Sequence, residues 1–344
     1  MVDSPAASLA EIRRMLAALP AADHAAREAA RARDASLTKP AGALGRLEEI
    51  AFWMAEWQAR NPPQLRRPRV AVFAGNHGVA ARGVSAYPAE VTAQMVRNFV
   101  AGGAAVNQIC RSVDADLRVY EMALETPTRD FTAAPAMDDG ECARAMAYGM
   151  MAVEQGVDLI ALGEMGIANT TAAAALCLAL YGGTAADWTG PGTGVAGAQL
   201  DAKRETVAAG VALHGTAAAG DGLEILRRLG GFELAAIAGA VIAARFARVP
   251  VLLDGFTATA AAAVLQRLDA TLLDHCQVAH LSAEPAHARL CAAIGKRPLF
   301  DLGMRLGEAS GAALAVALAR AAVETHAGMA SFADAGVSGP TGAA

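Results

Sequence analysis

Short, almost wholly apolar runs that stop at a glycine-rich or polar loop, each loop opening an alanine-rich stretch, recur along most of this chain. Residues 69–73 stop at Ala74-Gly75-Asn76-His77-Gly78, and residues 157–162 at Gly163-Glu164-Met165-Gly166-Ile167-Ala168-Asn169-Thr170-Thr171. Residues 249–253 stop at Asp254-Gly255-Phe256-Thr257, residues 277–281 at Ser282-Ala283-Glu284, and residues 117–120 form a further run of the same kind. Continuous apolar strands are what a sheet buried on both faces requires. Strands alternating with helices predict a parallel sheet, so the expected fold class is α/β. His77, Glu164, Asn169, Asp254, Ser282 and Glu284 all follow strand ends. In an open parallel sheet the ligand crevice lies outside that edge, so this convergence argues for an enzyme more strongly than any one motif does.

The flanks read differently. Residues 1–60 are expected to form a helical arm in two or three pieces, interrupted at Leu37-Thr38-Lys39-Pro40-Ala41-Gly42. Asn61-Pro62-Pro63 is a linker, residues 64–336 form the large α/β domain, and residues 337–344 form a flexible tail. The 344 residues suffice for one large domain, or for a large and a small one. The net charge is −5 and no basic stretch is long enough for a nucleic-acid footprint, which leaves an anionic small substrate open. The five cysteines are scattered and form no CxxC, as expected of a reducing, cytoplasmic setting. The N-terminus, with Asp3, has no apolar run of a signal peptide. The most apolar stretch, residues 234–244, is too short to span a bilayer and reads as a buried helix.

Glu308, in Arg305-Leu306-Gly307-Glu308-Ala309-Ser310-Gly311, is a carboxylate between glycines where a loop becomes a long helix. Gly307, Ser310 and Gly311 would let a ligand approach closely, and the first helical amides could meet an anion. Glu308 is then either a general base or an acid that complements the helix dipole. Asn169, Thr170 and Thr171 either cap a helix or, with Glu164 in the preceding loop, border an anion site. Thr189-Gly190-Pro191-Gly192-Thr193-Gly194 matches neither the P-loop nor GxGxxG. Gly190, Gly192, Thr193 and Gly194 could wrap a phosphate, with Lys203 as a point charge, or form a plain surface loop. Ser85 and Tyr87, before the helix carrying Gln94 and Met95, could line a pocket for an aromatic ligand, or form only a proline turn. His77 is either an acid/base or a histidine held by its turn. His275, Cys276, His280, His287 and Cys291 match no zinc spacing, so no metal site is expected; His280 is placed in a strand.

Taken together, these stretches resemble the nicotinate-nucleotide–dimethylbenzimidazole phosphoribosyltransferases, enzymes of cobalamin lower-ligand assembly. The matching runs are Lys39-Pro40-Ala41-Gly42-Ala43-Leu44-Gly45-Arg46-Leu47-Glu48, Asn76-His77-Gly78-Val79 through Gln94, residues 163–171, Asp254-Gly255-Phe256, and residues 305–311. The resemblance covers about residue 30 to Val337. It implies a Rossmann-like parallel sheet, a small helical domain built from both chain ends, and a homodimer. It also implies that Glu308 is the catalytic base, that Glu164 shares its pocket, and that Lys203 is an active-site group. The chain departs from many members at Asn76, where they have Asp before His-Gly, and at Pro191, where they have Arg. Tyr87 and Met95 stand where some members set Ser and Gln against the incoming base.

The implied reaction passes the phosphoribosyl group of nicotinate mononucleotide to a flat benzimidazole. It involves no metal, redox cofactor, nucleic acid or membrane. Three other readings use parts of the same evidence. Adenine or a phenol could be the acceptor on the same fold. A non-catalytic nucleotide-binding protein would keep the glycine loops and have no use for Glu308. A dinucleotide-dependent oxidoreductase would need the GxGxxG that is absent after the first strand.

Overall fold

Side chains of a strand alternate between the two faces of its sheet, so an all-apolar strand must be covered twice. The computed structural model, which describes residues 8–215 and 217–339, meets that demand with one sheet of five strands. These are β1 (Pro68–Ala74), β2 (Asp116–Glu121), β3 (Leu159–Met165), β4 (Val251–Leu253) and β5 (Cys276–Val278). Their spatial order is β2-β1-β3-β4-β5, and every pairing is parallel. The α/β expectation and its Rossmann-like parallel sheet are met. Alternation divides the core in two. Ala71, Phe73, Ile160, Leu162, Val251 and Leu253 join one apolar cluster, while Val70, Val72, Leu159, Ala161 and Leu252 join the other. The chain reverses direction across the sheet between β1 and β3, so a crevice opens at their carboxyl ends.

The strand bounds differ from expectation where it matters. The third run does not stop at Leu162 but continues through Glu164 to Met165, with Phe73 paired to Glu164. Glu164 therefore stands on a strand end, not in a loop, because Gly163 lets the strand run on beneath the backbone of Ala309. β5 ends at Val278, so His280 lies beyond the strand, in an isolated parallel bridge to Phe300.

Two helices from the N-terminal part of the chain meet one from its C-terminal part. The helix His24–Ser36 packs on Arg46–Gln58, which packs on Ser310–Gly328. Arg33 donates to the carbonyls of His326, Ala327 and Met329, and the N–H of Thr38 donates to Ala330. Lys39 closes the intervening loop by pairing with Asp34 at 2.7 Å and Glu48 at 2.8 Å. The first helix, Leu9–Leu16, leaves this group. It buries Leu9 and Ile12 in the core with Phe73, apart from the helices His24–Ser36 and Arg46–Gln58. Residues 1–7, on which the N-terminal reading rests, and 340–344 of the expected tail lie outside the described residues. Among the described residues no helix is long and apolar enough to cross a membrane.

Small residues set the spacing of the helical layers. A Cβ on Gly239, in the helix Phe232–Phe246, would overlap the backbone of Met146 in the helix Asp139–Met150; one on Gly149 would overlap the Ala236 carbonyl. Gly239→Ala should therefore destabilise the fold. Overpacking costs about 1–3 kcal/mol, against roughly 1 kcal/mol gained in helix propensity. A lower urea midpoint than wild type is the expected result, and an unchanged or higher one would mean the helices can separate freely.

Candidate active site

The carboxyl ends of β3, β4 and β5 frame a cavity. Glu164, Met165 and Gly166 supply one wall, Asn169 and Thr170 at the start of the helix Asn169–Tyr181 another, and Gly192 and Thr193 a third. Phe256, Thr257, His280, Ser282 and Glu284 close it from the β4 and β5 side, and Arg305, Leu306 and Gly307 lie across it.

Glu308 follows Gly307, which lines this cavity, through an unusual turn. Gly307, Glu308 and Ala309 have φ of 80°, 60° and 62° in succession. Each non-glycine residue in that region costs roughly 1–2 kcal/mol, so tertiary contacts must hold the turn. The Glu308 N–H donates to the Glu164 carbonyl at 3.1 Å, and the Ser310 hydroxyl donates to the Gly307 carbonyl at 2.7 Å. Buried Asp254, after β4, accepts the Ala312 N–H through Oδ1 at 2.8 Å. This corrects the expectation that these helical amides face an anion: the protein's own carboxylate takes that end of the helix. Ser310 and Gly311 are likewise not cavity residues. Gly311 packs against the His280 ring, with no room for a Cβ.

Among the described residues nothing donates a hydrogen bond to the Glu308 side chain, although the residue is only 6 % exposed. Burial pushes its pKa up to about 7. Glu164 goes further, to about 8. Burial is the main cause and Asp254, Glu233 and Glu308 add to it, while a hydrogen bond from the Asn169 amide opposes. No side chain caps the helix Asn169–Tyr181. Ala168, at φ 76°, occupies the cap position, and Asn169 is turned onto Glu164 instead. Thr171 is buried with its hydroxyl unpaired, away from the cavity wall.

Lys203 is buried, and its ammonium donates to the Thr170 hydroxyl at 2.9 Å and the Gly190 carbonyl at 3.0 Å. Burial lowers its pKa to about 8, with Glu284 opposing. Gly192, at φ 53°, lies so close that a Cβ would stand 2.9 Å from Lys203 Nζ. Glu284 accepts the Gly192 N–H at 3.2 Å, and Arg305 donates to the Gly192 carbonyl at 3.2 Å. Of the loop glycines only Gly192 faces the cavity; Gly190 packs on Glu284, and Gly194 is not on the wall. Arg305 and Ser282 are wall residues that the sequence reading did not select. Arg305 lies in the same motif as Glu308, and Ser282 follows a strand, so both signals were in view without a reason to prefer them.

Ser85 approaches Thr193, with 3.3 Å between hydroxyls. Tyr87, 54 % exposed, and Gln94 line a neighbouring cleft of about 790 Å³ with Asn76, Arg97 and Glu125. Met95 lines neither space; it packs against the apolar cluster of Val70 and Phe99. Gln94, not Met95, lines the open cleft. In a helix adjacent residues diverge by about 100°, and Gln94 took the open side. His77 forms a buried pair with Glu233, 2.6 Å from Nε2 to Oε1, beneath Gly75 and Gly231. His275 bonds the Val241 carbonyl, and His287 bonds Thr259 and accepts the Ser282 N–H.

The chain matches a family model described as phosphoribosyltransferase over residues 19–337. It is 56 % identical over 328 residues to the nicotinate-nucleotide–dimethylbenzimidazole phosphoribosyltransferase of Sinorhizobium medicae, covering 95 % of this chain and 96 % of that one. The enzyme of the same name from Methylocella silvestris is 56 % identical over 337 residues, 98 % of each chain. The crystal structure of the Thermus thermophilus enzyme of that name superposes with a TM-score of 0.85 at 41 % identity, covering 92 % of this chain and all of that one.

The raised pKa of Glu164 carries a stability cost with a definite sign. The unfolded carboxyl ionises near its ordinary value of 4.5, whereas the folded one keeps its proton to about 8. Between those values the unfolded state binds fewer protons, so this group makes the fold less stable as pH rises. Glu164→Gln should raise Tm more at pH 8 than at pH 5, by on the order of 2 °C for each kcal/mol relieved. An equal change at both pH values would mean that Glu164 is ionised in the folded protein throughout.

Proposed function

This chain belongs to the nicotinate-nucleotide–dimethylbenzimidazole phosphoribosyltransferases, and we propose that it carries their named reaction through Glu308 and Glu164. The donor would be nicotinate mononucleotide and the acceptor 5,6-dimethylbenzimidazole, giving α-ribazole 5′-phosphate and nicotinate for the lower ligand of cobalamin. The observation that carries this reading is the buried Glu308 carboxyl, next to Gly307 on the wall of a cavity that Gly192, Thr193 and Arg305 also line and that Lys203 backs through Thr170 and the Gly190 carbonyl.

The donor phosphate suits that far wall, where Arg305 and loop amides can meet it and Lys203 keeps the loop in place. Met165, Ile167, Phe256 and Leu306 offer an apolar surface for a flat base. A ring nitrogen of the base attacks the anomeric carbon as nicotinate leaves, and in-line attack inverts that centre to the α-riboside. The proton on the other ring nitrogen grows acidic as the bond forms, and Glu308, with a pKa near neutrality, is matched to take it. The donor's quaternary ring nitrogen is cationic, and positive charge moves to the ribose as the glycosidic bond breaks. A cation beside Glu164 favours its ionised form, and the resulting carboxylate stabilises that charge. Positioning two substrates in line supplies much of the rate. No metal or redox cofactor enters the scheme. A homodimer and a cytoplasmic location complete the reading. The five cysteines are all free and buried, as a reducing compartment allows, and sedimentation would measure the assembly.

The direct test is a product assay: the protein with nicotinate mononucleotide and dimethylbenzimidazole, adenine or a phenol, with α-riboside phosphates identified by mass. Product from adenine or a phenol alone would move the chain to a different acceptor. Glu308→Gln should keep both KM values and lose about 10²–10⁴ in kcat; near-normal turnover would remove Glu308 as the base. Lys203→Met should raise KM for the nucleotide by the equivalent of about 1.5–3 kcal/mol while leaving KM for the base alone. Equal effects on both substrates would count against a phosphate at this wall.

A further inference from the structure

Asp254 is 1 % exposed, yet among the described residues it makes no ion pair with a lysine or arginine, and its Oδ2 has no hydrogen-bond partner there. The nearest basic group is His280 Nε2, 3.6 Å from Oδ1. What Oδ1 does hold is the N–H of Ala312, in the first turn of the helix Ser310–Gly328; burial pushes this carboxyl up to about 7, and the N–H groups of Ala312, Gly311 and Ala309 work against that shift. That turn directly follows Gly307, Glu308 and Ala309, the three left-handed residues. Two glycines shape the same junction. Gly163 admits the backbone of Ala309 against β3, and Gly311 admits the His280 ring beside Asp254. A buried charge is costly unless something compensates it, and here the compensation comes from the helix end and its free amides.

We propose that Asp254 is a positioning residue for the transfer reaction, holding the helix end so that Glu308 keeps its left-handed turn at the cavity. The carboxylate touches neither substrate. It acts through the amides of the turn that follows Glu308, and it is supported from behind by His280 and Gly311. This inference rests on the assignment of Glu308 as the base. Without the carboxylate, the helix end loses its acceptor and the strained turn can relax, moving Glu308 while the phosphate wall at Gly192 and Arg305 stays where it is.

The test is Asp254→Ala, which removes both acceptor oxygens, assayed with nicotinate mononucleotide and dimethylbenzimidazole. The expected result is a fall in kcat of about 10²-fold, the scale of an ångström's misplacement of a catalytic group, with both KM values within about threefold of wild type. Amide hydrogen exchange should quicken at Ala309–Ala312 and stay unchanged at Gly192 and Thr193. If the Ala variant does not unfold cooperatively, Asp254→Asn, whose amide oxygen can still accept one N–H, takes its place, with a smaller loss of kcat expected. Wild-type kcat in whichever variant folds overturns the proposal, and so does a loss confined to KM. An inactive wild type would sink the functional reading instead. The exchange measurement would then still decide whether Asp254 holds the turn.

Discussion

Ala309 lies with its backbone directly against Gly163, and no side chain at residue 163 could share that space. This approach brings a helix from the chain's end onto the carboxyl edge of a strand from its middle. It carries Glu308 to Glu164, closed by the bond from the Glu308 N–H to the Glu164 carbonyl. The backbone at the junction is left-handed at three successive residues, which local preference opposes. The turn persists because its surroundings over-determine it: the Ser310 hydroxyl, the Asp254 carboxylate and the glycine contact all act on the same few atoms.

Packing so tight excludes water, and that exclusion dominates the electrostatics. Glu164, Asp254 and Glu308 all have pKa values raised first by burial, and their mutual repulsion adds to the rise for Glu164 and Asp254. Carboxyls in this condition titrate near neutrality, where a group can both accept and release a proton. The cations are arranged differently. Lys203 and Arg305 both bind the loop 189–194, where Glu284 also accepts the Gly192 N–H. The cations thus gather at the glycine loop with Glu284 among them, while Glu164 stands at the β3 end.

Much of the site was legible in the primary structure, and the misses share one cause. Gly163-Glu164 and Gly307-Glu308 stood out because glycine beside a carboxylate at an element boundary marks close approach. Gln94 and Met95 could not be told apart, because choosing between adjacent helical residues needs the helix's rotation about its axis, which the surrounding core sets. The helical amides after Glu308 were offered to a ligand because nothing local to residues 305–314 reveals that Asp254, more than fifty residues earlier, reaches them. Asn169 looked like a cap for the same reason; its partner Glu164 bends it away from the helix end.

The sequence by itself determined the class of fold, since continuous apolar strands alternating with helices have only one economical arrangement, a parallel sheet covered twice. It also determined the edge on which chemistry would gather, since the polar residues follow the strands. Only the tertiary structure decided which of those polar groups face a ligand and which serve the protein. Asp254, His77 and Lys203 have the same chemical endowment as catalytic groups. They are spoken for, respectively, by a helix end, by Glu233, and by Thr170 with Gly190. A side chain's partners are a property of the packed molecule: a buried polar group must be satisfied by whatever the fold brings within about 3 Å, and residues far apart in the chain supply that neighbourhood.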